Sequence, residues 1–288
     1  MFIAVDLVRL VELLQFPFMQ RALLGGVLLG LLGGLLGSFA ILRQLSFFSH
    51  TVGHAALLGI VLGVLLNLDP TLTLLPFTVF FGLAVIYLIA QTDLWSDTVL
   101  NIVFSASLAV AVIALSFIQG YRGSLMNLLF GDILAITTKD LILSLAVLVV
   151  SAVSLGLTLR AQVLLTLHEE MAKAQGVAVR SHRIWFIVLL SLAVAIAIKA
   201  VGVLLVNAFL VIPAATAKLL SQKFAAFVLL STAIGALSAV LGILLSAAQN
   251  LASGPSIVVA QFALFVIAVA LFRLRRLPSP SERGAGVH

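Results

Sequence analysis

His50 and His54 stand four residues apart in a stretch, 45–66, that is otherwise dominated by apolar side chains. Residues at i and i+4 share one face of a helix, so both imidazoles can aim at a single point. Imidazole is the commonest protein ligand for zinc and its neighbours. Titratable side chains inside a membrane span usually mark an ion or substrate path. The chemistry on offer is reversible coordination of a divalent transition metal. Two nitrogens fill only half of the roughly four positions that zinc prefers, and no carboxylate lies deep in any apolar segment. That disfavours a tight, closed site and favours a path, where binding must be weak enough to let the ion leave. Packing alone would account for a lone histidine bonded to a neighbouring helix. Two on one face, with Ser46, Ser49 and Thr51 beside them, read as ligands.

Three further positions stand out. Lys199 lies near the end of an apolar run, where a lysine snorkels to the headgroups. Asn207 and Pro213 fall in a short apolar segment, 207–220, that reads as a partial or broken helix whose freed groups line a cavity. Between 166 and 177 a polar helix carries Glu169, Glu170, Met171 and Ala172, with Gly176 placed to stop it. On pattern alone, a solvated loop helix and a docking helix for a cytosolic partner both fit.

The elements that position these residues follow from composition. Of 288 residues, 63% are hydrophobic and 9% charged, against about 25% charged in a soluble domain. The chain is an all-α, polytopic membrane protein. A span takes about 20 apolar residues, which leaves room for about eight or nine spans, one of them short or broken. Residues 1–18 read as an amphipathic interfacial helix, with Asp6, Arg9 and Glu12 on one stripe before Pro17. They lack the basic start and small-residue cleavage site of a signal peptide. A transmembrane domain occupies 19–272, and 273–288 form a basic, Pro/Ser/Gly-rich disordered tail.

Spans are expected at about 20–42, 45–66, 71–90, from 98 to about 118, and then at 139–159, 184–204, 224–247 and 256–272, with 207–220 as the short crossing. The first is glycine-rich. Gly26, Gly30 and Gly34 recur at i+4, and Gly33 and Gly37 form a second pair, the spacing that lets helix backbones approach closely. Counting from residue 45 at about 1.5 Å per residue, His50 lies about 8 Å and His54 about 14 Å into the second span.

If 160–183 faces the cytoplasm, eleven basic residues fall inside (Arg43, Arg160, Lys173, Arg180, Arg183, Lys218, Lys223, Arg273, Arg275, Arg276 and Arg283) and four outside (Arg9, Arg21, Arg122 and Lys139). The positive-inside rule then puts the N-terminus outside and the C-terminus in the cytoplasm. The net charge of +6 is thus topology rather than a nucleic-acid stripe. Absent cysteines exclude disulfides, thiolate metal sites and cysteine catalysis. No phosphate-loop, zincin or nucleophile-elbow pattern occurs, so the chain is not itself an enzyme.

Five blocks carry a resemblance. They are Leu45-Ser-Phe-Phe-Ser-His50-Thr-Val-Gly-His54-Ala-Ala-Leu-Leu-Gly59, Leu129-Phe-Gly-Asp132-Ile-Leu-Ala-Ile-Thr137, Glu170-x-Ala172-x3-Gly176, Gly202-Val-Leu-Leu-Val-Asn207-Ala-Phe-Leu-Val-Ile-Pro213-Ala-Ala-Thr-Ala217 and Ser253-Gly-Pro-Ser256. In this order, over about 20–272, the chain resembles the membrane permeases of bacterial metal-ion ABC importers (the zinc, manganese and iron class), and most of all those of zinc-uptake systems.

The resemblance implies a homodimer in the bacterial inner membrane, two cytosolic ABC ATPase subunits that supply ATP hydrolysis, and an extracytoplasmic solute-binding protein. No cofactor is permanently bound; the metal is cargo, zinc first and manganese second. It also implies that 166–177 is the coupling helix, with Glu169, Glu170, Met171, Ala172 and Gly176 meeting the ATPase. In such permeases an Asp commonly stands four residues before the histidine that contacts the metal in transit. His50 and His54 match these positions here, and imidazole in place of carboxylate favours zinc over manganese. Ser105 matches the place of another histidine in zinc-type relatives, and with Asn207 is assigned to the translocation path. An ATP-independent channel or secondary carrier is the alternative class.

Overall fold

The computed structural model describes residues 12–68, 70–116, 129 and 131–276. Residues 12–15 are helical; most of the expected interfacial helix, the connection around Arg122 and the tail beyond Arg276 lie outside the described residues. In chain order the helices are α1 (Pro17–Leu42), α2 (Phe48–Leu65), α3 (Pro70–Gln91), α4 (Ser96–Ser116), a 3-10 turn (Ile133–Ala135), α5 (Thr138–Leu157), α6 (Leu159–Leu167), α7 (Glu169–Ala174), α8 (Val179–Val201), α9 (Val206–Leu220), α10 (Phe224–Gln249) and α11 (Ser253–Arg276). There is no strand among the described residues. Eight of these helices are long and apolar enough to cross a membrane, and α9 is the shorter apolar helix.

Helix α1 is the hub, packed against α5, α9 and α10. Both glycine stripes read from the sequence serve that role. On one face, a Cβ at Gly30 would lie 2.4 Å from the Gly235 carbonyl oxygen of α10, and a Cβ at Gly34 2.4 Å from that of Ser231. The Ser231 hydroxyl donates to the Gly34 carbonyl at 2.7 Å. On the other face, a Cβ at Gly37 would lie 2.1 Å from the Leu210 carbonyl of α9, and one at Gly33 2.9 Å from that of Phe209. Pro213 has no N–H, so the Phe209 carbonyl lacks its usual i+4 donor. The bare backbone of Gly33 lies against that carbonyl.

Around this hub, α2 packs on α3 and α4, and α8 packs on α3 and α2. Helices α1, α2 and α8 are the enclosed ones, while α3, α4, α5 and α11 turn most of their surface outward.

The short crossing differs from expectation in one respect. Helix α9 runs unbroken through Pro213, and the interruption lies before it, between Val201 and Val206. Gly202 adopts φ +87, and Gly131, at φ +66, abuts its backbone. Backbone groups freed there are satisfied across the gap: Leu204 N–H donates to the Leu129 carbonyl and Asp132 N–H to that of Lys199.

Lys199 also departs from the snorkelling reading. Its ammonium meets the Asp140 carboxylate at 2.7 Å. Asp140 in turn closes a capping box with Thr137 at the start of α5. The expected sixth span began too late, because α8 starts at Val179. The last helix, likewise, continues to Arg276, past the expected start of the tail.

Two predictions follow. Gly30→Val should lower the melting temperature in detergent by the equivalent of about 2 kcal/mol or more, whereas Gly156→Ala, with nothing within 4 Å of the added Cβ, should leave it unchanged or raise it. A double-mutant cycle of Lys199→Met and Asp140→Asn, read by the same melts, should return a coupling of about 1 kcal/mol. Additive effects would show that the contact contributes nothing.

Candidate functional site

The site is built at the first turns of α2. The His50 and His54 rings lie 4.6 Å apart between centroids, on one face as their spacing dictates. Because α2 begins at Phe48 rather than 45, both rings lie nearer that helix end than expected. His54 is buried and His50 half-buried. The Nδ1 of His54 is a buried nitrogen with no hydrogen-bond partner, an uncommon state for a buried polar atom and one that a ligated cation would relieve.

Two hydroxyls hold this face in place. Ser49 donates to Asn207 Oδ1 of α9 at 2.7 Å, and Thr51 donates to the Leu100 carbonyl of α4 at 3.2 Å. Gly53 lets α9 in, since a Cβ there would already touch Val206 at 3.0 Å. Helix α2 is thereby fixed to both neighbours on either side of its imidazoles.

Aromatic rings close the site. Phe104 of α4 lies 4.8 Å from His50 and 4.9 Å from His54 between centroids, and Phe47 lies 4.7 Å from His50. Beyond Phe47 opens a cleft of about 270 Å³ lined by Ser46, Phe47, Asp97, Asn101, Asn207 and Val211. Neither histidine lines it. Phe47 belongs to both groups, packing on His50 and lining the oxygen-rich cleft. The Asn101 amide donates to the Asp97 carbonyl at 2.9 Å, which leaves its own oxygen free to face a cation. Among the described residues no cluster of three or more His, Cys, Asp or Glu could hold a metal.

Of the path residues expected from sequence, Asn207 joins the cleft and bonds Ser49, but Ser105 does not reach the site. It is exposed on the far side of α4, and its neighbour Phe104 takes the inward position. Asp97 and Asn101 were missed because 91–97 read as a loop. The signal was present, since Asp97, Asn101 and Phe104 recur at i, i+4 and i+7 on one helical face.

At the same end of the molecule lie α6 and α7, which replace the single helix expected over 166–177 and meet at an extended His168. Helix α7 ends in a Schellman motif. Val177 N–H returns to the Ala172 carbonyl and Gly176 N–H to that of Lys173, with Gly176 at φ +75. Ala172 is fully buried among Leu165 and Val179, so it anchors the helix and is shielded from any partner. Glu169 pairs with Arg183 of α8 and with Lys173. Met171 and Glu170 point outward.

Arg43, capping α1, ties this segment to the core. It donates to Thr166 Oγ1 at 3.1 Å and to the Gln162 side chain, and its guanidinium stacks 4.3 Å over the Phe186 ring. Burial, and then the nearby Arg183 charge, lowers its pKa to about 10, so it stays cationic at neutral pH.

A family model described as "ABC 3 transport family" matches residues 15–272. The high-affinity zinc uptake system membrane protein ZnuB of Haemophilus influenzae is 33% identical over 264 residues, 91% of this chain and 100% of that protein. The manganese transport system membrane protein MntC of Listeria monocytogenes is 31% identical over 256 residues, covering 89% and 91% of the two chains. Among solved structures, PsaBC from Streptococcus pneumoniae in complex with Fab superposes with a TM-score of 0.80 at 29% identity, covering 96% of this chain and 98% of that one.

Proposed function

The chain belongs to the ABC 3 transport family, and on that premise we propose that it is the multi-pass inner-membrane permease subunit of an ATP-driven importer of a divalent transition metal. Zinc is the first cargo and manganese the second, in keeping with the zinc-uptake and manganese-transport relatives. The observation that carries the reading is the pair of facing imidazoles with an unpartnered buried nitrogen at His54. Two neutral nitrogen donors suit zinc better than manganese, which prefers oxygen.

Each group has a role in this reading. His50 and His54 strip part of the hydration shell from an ion delivered by an extracytoplasmic binding protein, with water filling the remaining positions. Phe104 and Phe47 cover the imidazoles and oppose free leakage. When these rings move, the ion passes to the cleft, where Asp97 and the amide oxygens of Asn101 and Asn207 supply the harder donors that favour rehydration.

Work is supplied from outside the chain, which has no phosphate loop of its own. A cytosolic ATPase pair docks on the exposed Met171 and Glu170. Force then reaches α1 and α8 through the Glu169–Arg183 pair and the Arg43 contacts to α6. The segment faces the cytoplasm by the positive-inside count, the N-terminus lies outside, and two copies of the permease complete the assembly.

Substitutions should separate path from drive. His50→Ala and His54→Ala are each expected to cut zinc uptake into cells about tenfold or more while a tagged permease still co-purifies its ATPase; wild-type uptake in both would exclude the imidazole site. Glu170→Arg together with Met171→Asp should do the reverse in pull-downs, losing the ATPase while the permease alone keeps its melting temperature. A permease that moves zinc into vesicles at full rate without any ATPase would instead establish the channel or carrier class.

A further inference from the structure

We propose that the groove between α3 and α8 is a binding site for an anionic phospholipid headgroup. The groove has a volume of about 830 Å³, within the roughly 300–1,000 Å³ range of ligand sites. Its two walls differ in chemistry. Leu83, Ile86, Tyr87 and Ala90 of α3, at i, i+3, i+4 and i+7, make an apolar wall suited to acyl chains. Arg180 and Arg183 of α8, one turn apart, face it, and Lys173 of α7 adds a third cation. Glu169 is the one carboxylate in the lining, against three cations. Glu169 binds Arg183 and also lies 3.4 Å from Lys173, which pairs as well with Glu170 outside the groove. Arg180 has no hydrogen-bond or ion-pair partner among the described residues.

Depth points to lipid rather than to a soluble anion or a protein. Tyr87, Trp95 and Trp185 are all exposed around this end of the bundle, at 62%, 80% and 44%, and exposed aromatics of this kind mark the headgroup layer. Tyr87 lines the groove itself. An apolar wall continuing toward the acyl region, topped by cations at headgroup level, matches a two-part ligand with chains below and a phosphate above. The inference is independent of the metal path, because no histidine or cleft residue enters it, although Glu169 and Arg183 also belong to the proposed force path.

Trp185, next to Ile184 in the lining, gives the readout. The chain has two tryptophans, so Trp95→Phe leaves Trp185 as the sole reporter in the full-length protein. In phosphatidylcholine vesicles, phosphatidylglycerol with brominated acyl chains should quench Trp185 more strongly than brominated phosphatidylcholine at equal mole fraction. Relative affinity should fall on the order of fivefold for each cation removed in Lys173→Gln and Arg180→Gln. Brominated phosphatidylcholine should quench the variants as before, which reports intact insertion. Should the variants fold poorly, salt provides the same test on unaltered groove residues, because raising ionic strength from 0.1 to 1 M shortens screening from about 10 to about 3 Å and should erode the preference. Equal quenching by the two lipids, a preference that survives the double substitution or high salt, or its abolition by millimolar inorganic phosphate would overturn the site. So would loss of quenching when the ATPase subunit binds, since the groove would then belong to a protein interface.

Discussion

Main-chain contact between helices without intervening side chains is the constraint on which this molecule turns. Inside a bilayer, burying apolar surface brings helices no advantage over lipid, so association depends on close packing and on bonds between backbones. Helix α1 meets α10 through Gly30, Gly34 and Gly235, and α9 through Gly33 and Gly37. These contacts hold the 15-residue α9 against the hub helix. Only because α9 stands there can Asn207 reach Ser49, and so fix the turn of α2 that carries the imidazoles.

That arrangement leaves an interrupted helix at membrane depth, which is costly unless each freed backbone group finds a partner. The stretch around Gly131 and the 3-10 turn provides those partners, lying so close to Gly202 that Gly131 could carry no side chain without displacement, while Gly202 itself sits at a positive φ that side chains disfavour. Lys199 and Asp140 join the same two segments one turn away. The break is thus bridged by hydrogen bonds to the segment around the 3-10 turn.

Much of this could be read from residue order. Both glycine stripes, the shared face of His50 and His54, the stop at Gly176 and the existence of the long apolar helices followed from spacing and composition, because each is set by helical period, apolar length or a local backbone requirement. What escaped depended on contacts between distant segments. Ser105 and Phe104 differ by 100° around one helix, and only the packing of α4 on α2 decides which of them faces the imidazoles. Lys199 met a carboxylate 59 residues away that no pattern announces. Pro213 drew the expected interruption to itself, whereas a proline whose lost bond faces a bare glycine backbone can stay inside a helix, and the chain breaks at Gly202 instead. Asp97 was hidden by its position at a helix start, where polar residues are common for capping reasons.

The free end of α9 has an electrical consequence. Its first turn begins beside Gly53 and Ser49, in the midst of low-dielectric surroundings, so the partial positive charge of a helix N-terminus, about half an elementary charge, is delivered next to the imidazoles instead of being spent in the headgroup layer. On the proposed reading, a divalent ion at the imidazoles would meet a standing repulsion from that terminus, which would shorten its stay.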